Sequence, residues 1–286
     1  IHYFAFKEDI IHTVLMAGGC YLCVLFLPVK KVLYPASIWV FVYLSVSTLT
    51  RMLQVQQSQH RHQLEHYGPD CKAAWFGLLA QDGVTADNKL NEGQRERKVT
   101  KKPSFLEFWS FVFFGPASLT APFIEYSDYI NFIELKGLYA KLPGGTASWK
   151  PALNRGLHTV ICIGIWMVVT EGFGMDPMHA GEDSFVNEGT WLWRVWFVLV
   201  TGYAKRCFFY FSWCIVDVAT IASGLSFNGI DSEGNMKWDR VKSVNIYDLE
   251  FTPSLVAKTR GWNHQVHIWL KHYVGERLAK PGEKLT

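Results

Sequence analysis

The chain has 286 residues, enough for one large domain or two small ones. Aromatic residues make up 15% of it and charged residues only 19%, below the roughly 25% of soluble domains, which is the balance of a membrane protein with sizeable polar loops. A net charge of +3, with no basic face and no Arg/aromatic motif, leaves no case for a nucleic-acid partner.

Five runs are nearly free of Lys, Arg, Asp and Glu: Thr13–Val29, Val32–Thr50, Phe108–Ile124, Gly156–Thr170 and Cys207–Leu225. A spanning helix needs about 20 apolar residues, so each reads as a membrane element. Trp191–Ala204 is a sixth, able to span if Arg194 snorkels or faces protein. Five or six such elements predict an all-α, polytopic membrane protein. The six cysteines are scattered, mostly inside these runs, and read as buried free thiols. Cys20 and Cys23 form a C-x-x-C without a second pair, which is weak ground for a metal or redox site.

After the second run, His62-Gln63-Leu64-Glu65-His66 matches H-x-x-E-H, in which two helical histidines one turn apart hold zinc. No third ligand accompanies it, so the segment reads as a polar extension and no metal is expected. Asp82–Pro103 carries six basic residues against four acids, and the positive-inside rule places it on the cytosolic side as a solvated loop. Phe108–Ile124 contains Gly115-Pro116 and Ala121-Pro122, which break a helix. Broken helices at membrane depth belong beside protein or a water-filled cavity. Glu125-Tyr126-Ser127-Asp128-Tyr129 follows, either as an interfacial tyrosine belt with exposed acids or as the polar mouth of a lipid cavity.

Asp217 interrupts an apolar run. It is a functional candidate or one half of a structural pair with Arg206, Lys205 or a neighbouring helix. Arg260–Val274 places Trp262, Val266, Trp269, Leu270 and Tyr273 on one helical face, with Asn263 and His267 at its edge. On periodicity alone this is an amphipathic core helix. No G-x-S-x-G, phosphate-binding loop or dinucleotide fingerprint is present.

Three stretches together resemble the membrane-bound O-acyltransferases, in particular their lysophospholipid branch. Lys102-Pro103-Ser104-Phe105-Leu106-Glu107-Phe108 runs on to Ala121-Pro122-Phe123-Ile124-Glu125-Tyr126-Ser127-Asp128-Tyr129. Ser223-Gly224-Leu225-Ser226-Phe227-Asn228-Gly229 is followed by Lys237-Trp238-Asp239-Arg240-Val241. Gly261-Trp262-Asn263 precedes Trp269-Leu270 and Tyr273-Val274. Each is weak alone; their order and spacing carry the resemblance, over roughly residues 100–275.

The resemblance implies a multi-helix bundle around a tunnel, with residues 1–286 as part of one such domain. It implies transfer of an acyl group from acyl-coenzyme A, a co-substrate rather than a resident cofactor, to the hydroxyl of a lysophospholipid in the endoplasmic reticulum membrane. It assigns catalysis to Asn263. Trp262 and Trp269 are expected to orient the Asn263 helix, Glu125 and Tyr126 to line the lipid entrance, and Asp217, where relatives tend to carry Glu, to contact substrate. The family's histidine sits in a later segment of W-H-G type, which this sequence, ending at Thr286, does not contain; His264, His267 and His272 do not match it. A partial chain, inactive alone, is the expectation. The rivals are a family member acting on a sterol, diacylglycerol or protein, and a transporter or inactive truncated product. The residues before Trp262 argue against the sterol and diacylglycerol branches. Nothing in the sequence fixes an oligomeric state.

Overall fold

The structure, a computed structural model, describes residues 10–28, 31–57, 82–117, 123–144, 147–175 and 189–278. The His62–His66 pattern, Cys71 and Ala121-Pro122 lie outside the described residues. Among the described residues the secondary structure is helical, with one isolated antiparallel bridge, Ile230 to Met236, and no strand. The chain is all-α, as its composition implies. It folds as two compact units, Ile1–Leu142 with Gln265–Thr286, and Pro143–His264.

In the first unit, α1 (Ile10–Phe26) packs on α2 (Leu33–Gln57). Gly19 makes the approach possible, since a Cβ there would run into the Trp39 indole. That indole in turn donates to the Met16 carbonyl at 3.0 Å. Segment α3 (Glu92–Arg97) begins at Asn91, and α4 (Phe105–Val112) at Ser104, each with a reciprocal capping box. Phe108 and Val112 of α4 join Met16, Ala17, Cys20 and Val40 in one core. The helix ends where Gly115-Pro116 forces a tight turn, as the sequence predicts. Tyr126–Ile133 forms α5.

In the basic segment 82–103, two cations are held against the protein. Lys102 Nζ donates to the carbonyls of Leu25 (3.3 Å) and Leu27 (3.0 Å), placing its charge at the C-terminal end of α1. Arg97 is largely buried among acids described below.

In the second unit, α6 (Trp149–Met167) continues as a π-helical turn over Val168–Gly172 and packs along α7 (Trp191–Ser223). The two apolar runs 191–204 and 207–225 are thus a single helix rather than two membrane elements. At 33 residues it is about 50 Å long, more than the roughly 30 Å of a hydrocarbon core. Lys205 and Arg206 do not end it. Lys205 Nζ lies over the rings of Phe208 (5.4 Å) and Phe209 (5.9 Å), and Arg206 pairs with Glu250. Helix α7 stops at Gly224, whose φ of 95° suits glycine. Cys162, Cys207, Tyr210, Cys214 and Val244 form the buried core between α6 and α7, the cysteines as free thiols.

Three stretches are long and apolar enough to cross a membrane: Leu33–Thr50, Trp149–Gly172 and Trp191–Ser223. Helix α1 is apolar but, at 17 residues, shorter.

Candidate functional site

The expected continuous helix over 260–274 is broken at Asn263. Ile246–Phe251 (α8) and Leu255–Gly261 (α9) precede the break; His264–Trp269 (α10), a π-helical stretch Leu270–Gly275 and the short α11 (Glu276–Leu278) follow it. Asn263 has a φ of 45°, the left-handed region that asparagine tolerates better than other side-chain-bearing residues. The backbone on both sides is fixed. Trp262 N–H donates to Lys258 O (3.0 Å), Asn245 N–H to Gly261 O (3.1 Å), and His264 N–H to Ser243 O (2.7 Å). The Trp262 ring stands edge-on against Trp213 at 4.9 Å and also meets Phe209 and Tyr210 of α7. Trp262 thus packs the break against α7, and Asn263 is partly buried.

Asp217 is 1% exposed and pairs with Arg155 of α6. The pairing is side-on, through guanidinium Nε and Nη2, and Nη2 also donates to the Val244 carbonyl at 2.8 Å. Of the anticipated partners it is the neighbouring helix that supplies the cation; Arg206 instead binds Glu250. The second Asp217 oxygen accepts the Ser243 N–H at 2.9 Å. Ser243 thus links two places: its N–H is held by Asp217 and its carbonyl by His264, the residue after Asn263. The nearby loop is tied down in the same way. Ser226 Oγ bonds Thr220 Oγ1 (3.0 Å) and the Val241 carbonyl (3.1 Å), and the Trp238 ring meets Phe227.

In the other unit, Glu125 is the centre of a buried polar network. Its carboxylate accepts the Tyr273 hydroxyl at 2.6 Å and His272 Nδ1 at 3.1 Å, with Arg97 Nε at 3.5 Å. A carboxylate can only accept from that ring nitrogen, so His272 carries its proton on Nδ1. Arg97 also binds Glu276 (2.7 Å), which accepts from Asn91 at 3.1 Å. Arg277 grips Asp82 with two bonds, 3.1 and 2.7 Å. Burial, reinforced by the Glu125 charge, pushes the Tyr273 phenol well above its ordinary ionisation range. Tyr126 is buried edge-on against Phe111, and burial raises its phenol too. Trp269 lies parallel to Tyr273, ring centres 6.3 Å apart.

The sequence candidates therefore fall into two groups. Trp262, Asn263 and Asp217 belong to one unit, and Glu125, Tyr126 and Trp269 to the other. Sequence reading gave no site role to Arg155, Arg97, His272, Tyr273 or Glu276. Arg155 stands one residue before the Gly156–Thr170 run, and a charge at the edge of an apolar run was the available signal for a partner of Asp217.

Residues 10–284 match the family model described as MBOAT, membrane-bound O-acyltransferase family. The chain is 26% identical to lysophospholipid acyltransferase 6 of Drosophila melanogaster, over 97% of the chain and 40% of that protein. It is 30% identical to lysophospholipid acyltransferase 2 of Arabidopsis thaliana, over 71% of the chain and 44% of that relative. With membrane-bound glycerophospholipid O-acyltransferase 2 of Homo sapiens it shares 24% identity, over 96% and 56% respectively. The chain spans about half the length of the curated relatives it matches.

Proposed function

Because the chain belongs to the membrane-bound O-acyltransferase family, we propose that it serves transfer of an acyl group from acyl-coenzyme A to the free hydroxyl of a lysophospholipid, in the endoplasmic reticulum membrane. The observation that carries this reading is the likeness, along 97% of the chain, to a protein named as a lysophospholipid acyltransferase. The rigid presentation of Asn263 between Gly261 and His264 adds support.

A lipid hydroxyl is a poor nucleophile near neutral pH. A neutral imidazole, the base that the family resemblance implies, takes its proton as the oxygen attacks the thioester carbonyl. The carbon–sulfur bond then breaks, the acyl group stays on the lipid oxygen as an ester, and the coenzyme leaves as a thiol with a proton returned from the base. Asn263 supplies an amide donor that does not titrate, holding a substrate group or the developing oxyanion. A left-handed backbone fixed at three hydrogen bonds limits how far that amide can drift. Neither a resident cofactor nor a metal has a part in this chemistry. Asp82–Pro103 is assigned to the cytosolic face.

A substrate panel tests the reading. Membranes containing a full-length version of the protein, given labelled acyl-coenzyme A, should label phospholipid when lysophospholipid is supplied and not when a sterol, diacylglycerol or peptide is. Label in one of the other acceptors, with none in phospholipid, would reassign the branch.

A further inference from the structure

Within the unit Pro143–His264, a cavity of about 220 Å³ opens against α6, α7 and the segment 238–242. Its wall carries Asn154, Arg155, Asp217, Trp238, Asp239 and Lys242. Asn154 and Arg155 lie inside the stretch Trp149–Gly172 and Asp217 inside Trp191–Ser223, both apolar enough to cross a membrane. Polar groups at such positions are costly against lipid and mark an internal pair or a ligand path. The Arg155–Asp217 pair explains one charge of each sign. A second cation, Lys242, and a second anion, Asp239, stand on the same wall beside the Trp238 indole.

Size narrows the occupant. Pockets for whole drug-sized ligands run from about 300 to 1,000 Å³. A cavity of about 220 Å³ has room for a polar group of a larger molecule. Charge narrows it further, because cations and anions share the wall. The walls are also held in place. Asp217 engages Arg155 through Nε and Nη2, so Nη1 is the corner that remains for a ligand. Trp238 is braced by Phe227, and Asp239 accepts from Asn228 at 2.8 Å.

We propose that this cavity binds the zwitterionic head group of a phospholipid. The phosphodiester lies against Arg155 and Lys242, and the ammonium lies against Asp239 and the Trp238 ring, where a cation is attracted by the ring face. The identity of the ligand rests on the lysophospholipid reading above; the cavity and its two signs of charge do not.

The test is head-group selectivity, measured on a full-length version of the protein as binding in nanodiscs and, in parallel, as acyl transfer from labelled acyl-coenzyme A. The probes are lysophosphatidylcholine and lysophosphatidylethanolamine against lysophosphatidylglycerol and lysophosphatidic acid, with free coenzyme A as competitor. The zwitterionic lipids should bind more tightly, by roughly tenfold. Asp239→Asn, which keeps the shape and an oxygen for Asn228, should bring the two classes close to parity while binding of the anionic lipids changes less than about twofold; Trp238→Leu should act in the same direction. Equal binding of both classes to the unaltered protein, or selectivity untouched by Asp239→Asn, would overturn the assignment. So would displacement of the zwitterionic lipid by coenzyme A with both lost in Lys242→Met, which would make the cavity a site for a coenzyme phosphate. Selective binding without acyl transfer would sink the proposed reaction and leave the cavity standing. Transfer with unchanged selectivity in the variants would do the reverse.

Discussion

The carboxylate of Glu125 accepts the Tyr273 hydroxyl at 2.6 Å, although 148 residues separate the two in sequence. With His272 and Arg97 on the same carboxylate, this contact ties the segment after the broken helix to the π-helical stretch 270–275. Glu125→Ala removes the shared acceptor and leaves a buried guanidinium and phenol without it. The expected cost is about 3 kcal/mol, seen as a lowered melting temperature of the purified protein. Tyr273→Phe should cost about 1 kcal/mol, and the double change less than the sum of the two. Strict additivity would mean that the two residues do not act together.

Asp217 is expected to act on Asn263 through Ser243. Losing either member of the Arg155–Asp217 pair leaves a buried charge, so Arg155→Met and Asp217→Leu should each destabilise by about 3 kcal/mol. The double variant removes both charges and should recover most of that loss. It should not recover acyl transfer, because Ser243, whose carbonyl accepts the His264 N–H, has lost the anchor of its own N–H. Melting temperature and turnover, measured on the same preparations of a full-length version of the protein, separate the two effects. Full recovery of turnover would confine the pair to a role in folding.

The contact of α1 with α2 depends on Gly19. A side chain there meets the Trp39 indole. Gly19→Leu should cost about 1–3 kcal/mol by overpacking, and Trp39→Ala in the same chain should relieve part of it. Protease resistance of the detergent-solubilised protein reads this directly.

Glu250 supplies the pH dependence. Burial works to raise its pKa, but hydrogen bonds from Arg206 and Tyr210 and the Arg206 charge outweigh it, and the pKa falls below the usual 4.5. A folded-state pKa below the unfolded one gives stability that is present above the unfolded value and lost as pH falls through the folded one. Thermal melts between about pH 6 and pH 3 should show that loss, and Glu250→Gln should flatten it. An unchanged acid limb in the variant would place the titrating group elsewhere.

Much of the fold was legible in the runs at 13–29, 32–50 and 156–170, because an apolar length near that of a bilayer permits few structures. The union of 191–204 with 207–225 was not, because two adjacent charges look like a boundary. Only the neighbouring rings and Glu250 explain how a helix carries them. The break at Asn263 was hidden for another reason. Trp262 and Val266 keep helical spacing across it, and periodicity is blind to one residue with positive φ. Glu125 could be singled out as an acid after a broken helix, but its partners Arg97, His272 and Tyr273 come from distant segments that no local pattern connects.

The most direct measurement is acyl transfer by Asn263→Gly. Glycine accepts the left-handed backbone without strain and removes only the amide, whereas Asn263→Ala also adds strain of about 1–2 kcal/mol. With labelled acyl-coenzyme A and lysophospholipid, membranes holding Asn263→Gly in a full-length version of the protein, at normal abundance, should form no labelled phospholipid above the background of empty membranes. Product at the rate of the unaltered protein would remove the Asn263 side chain from the chemistry.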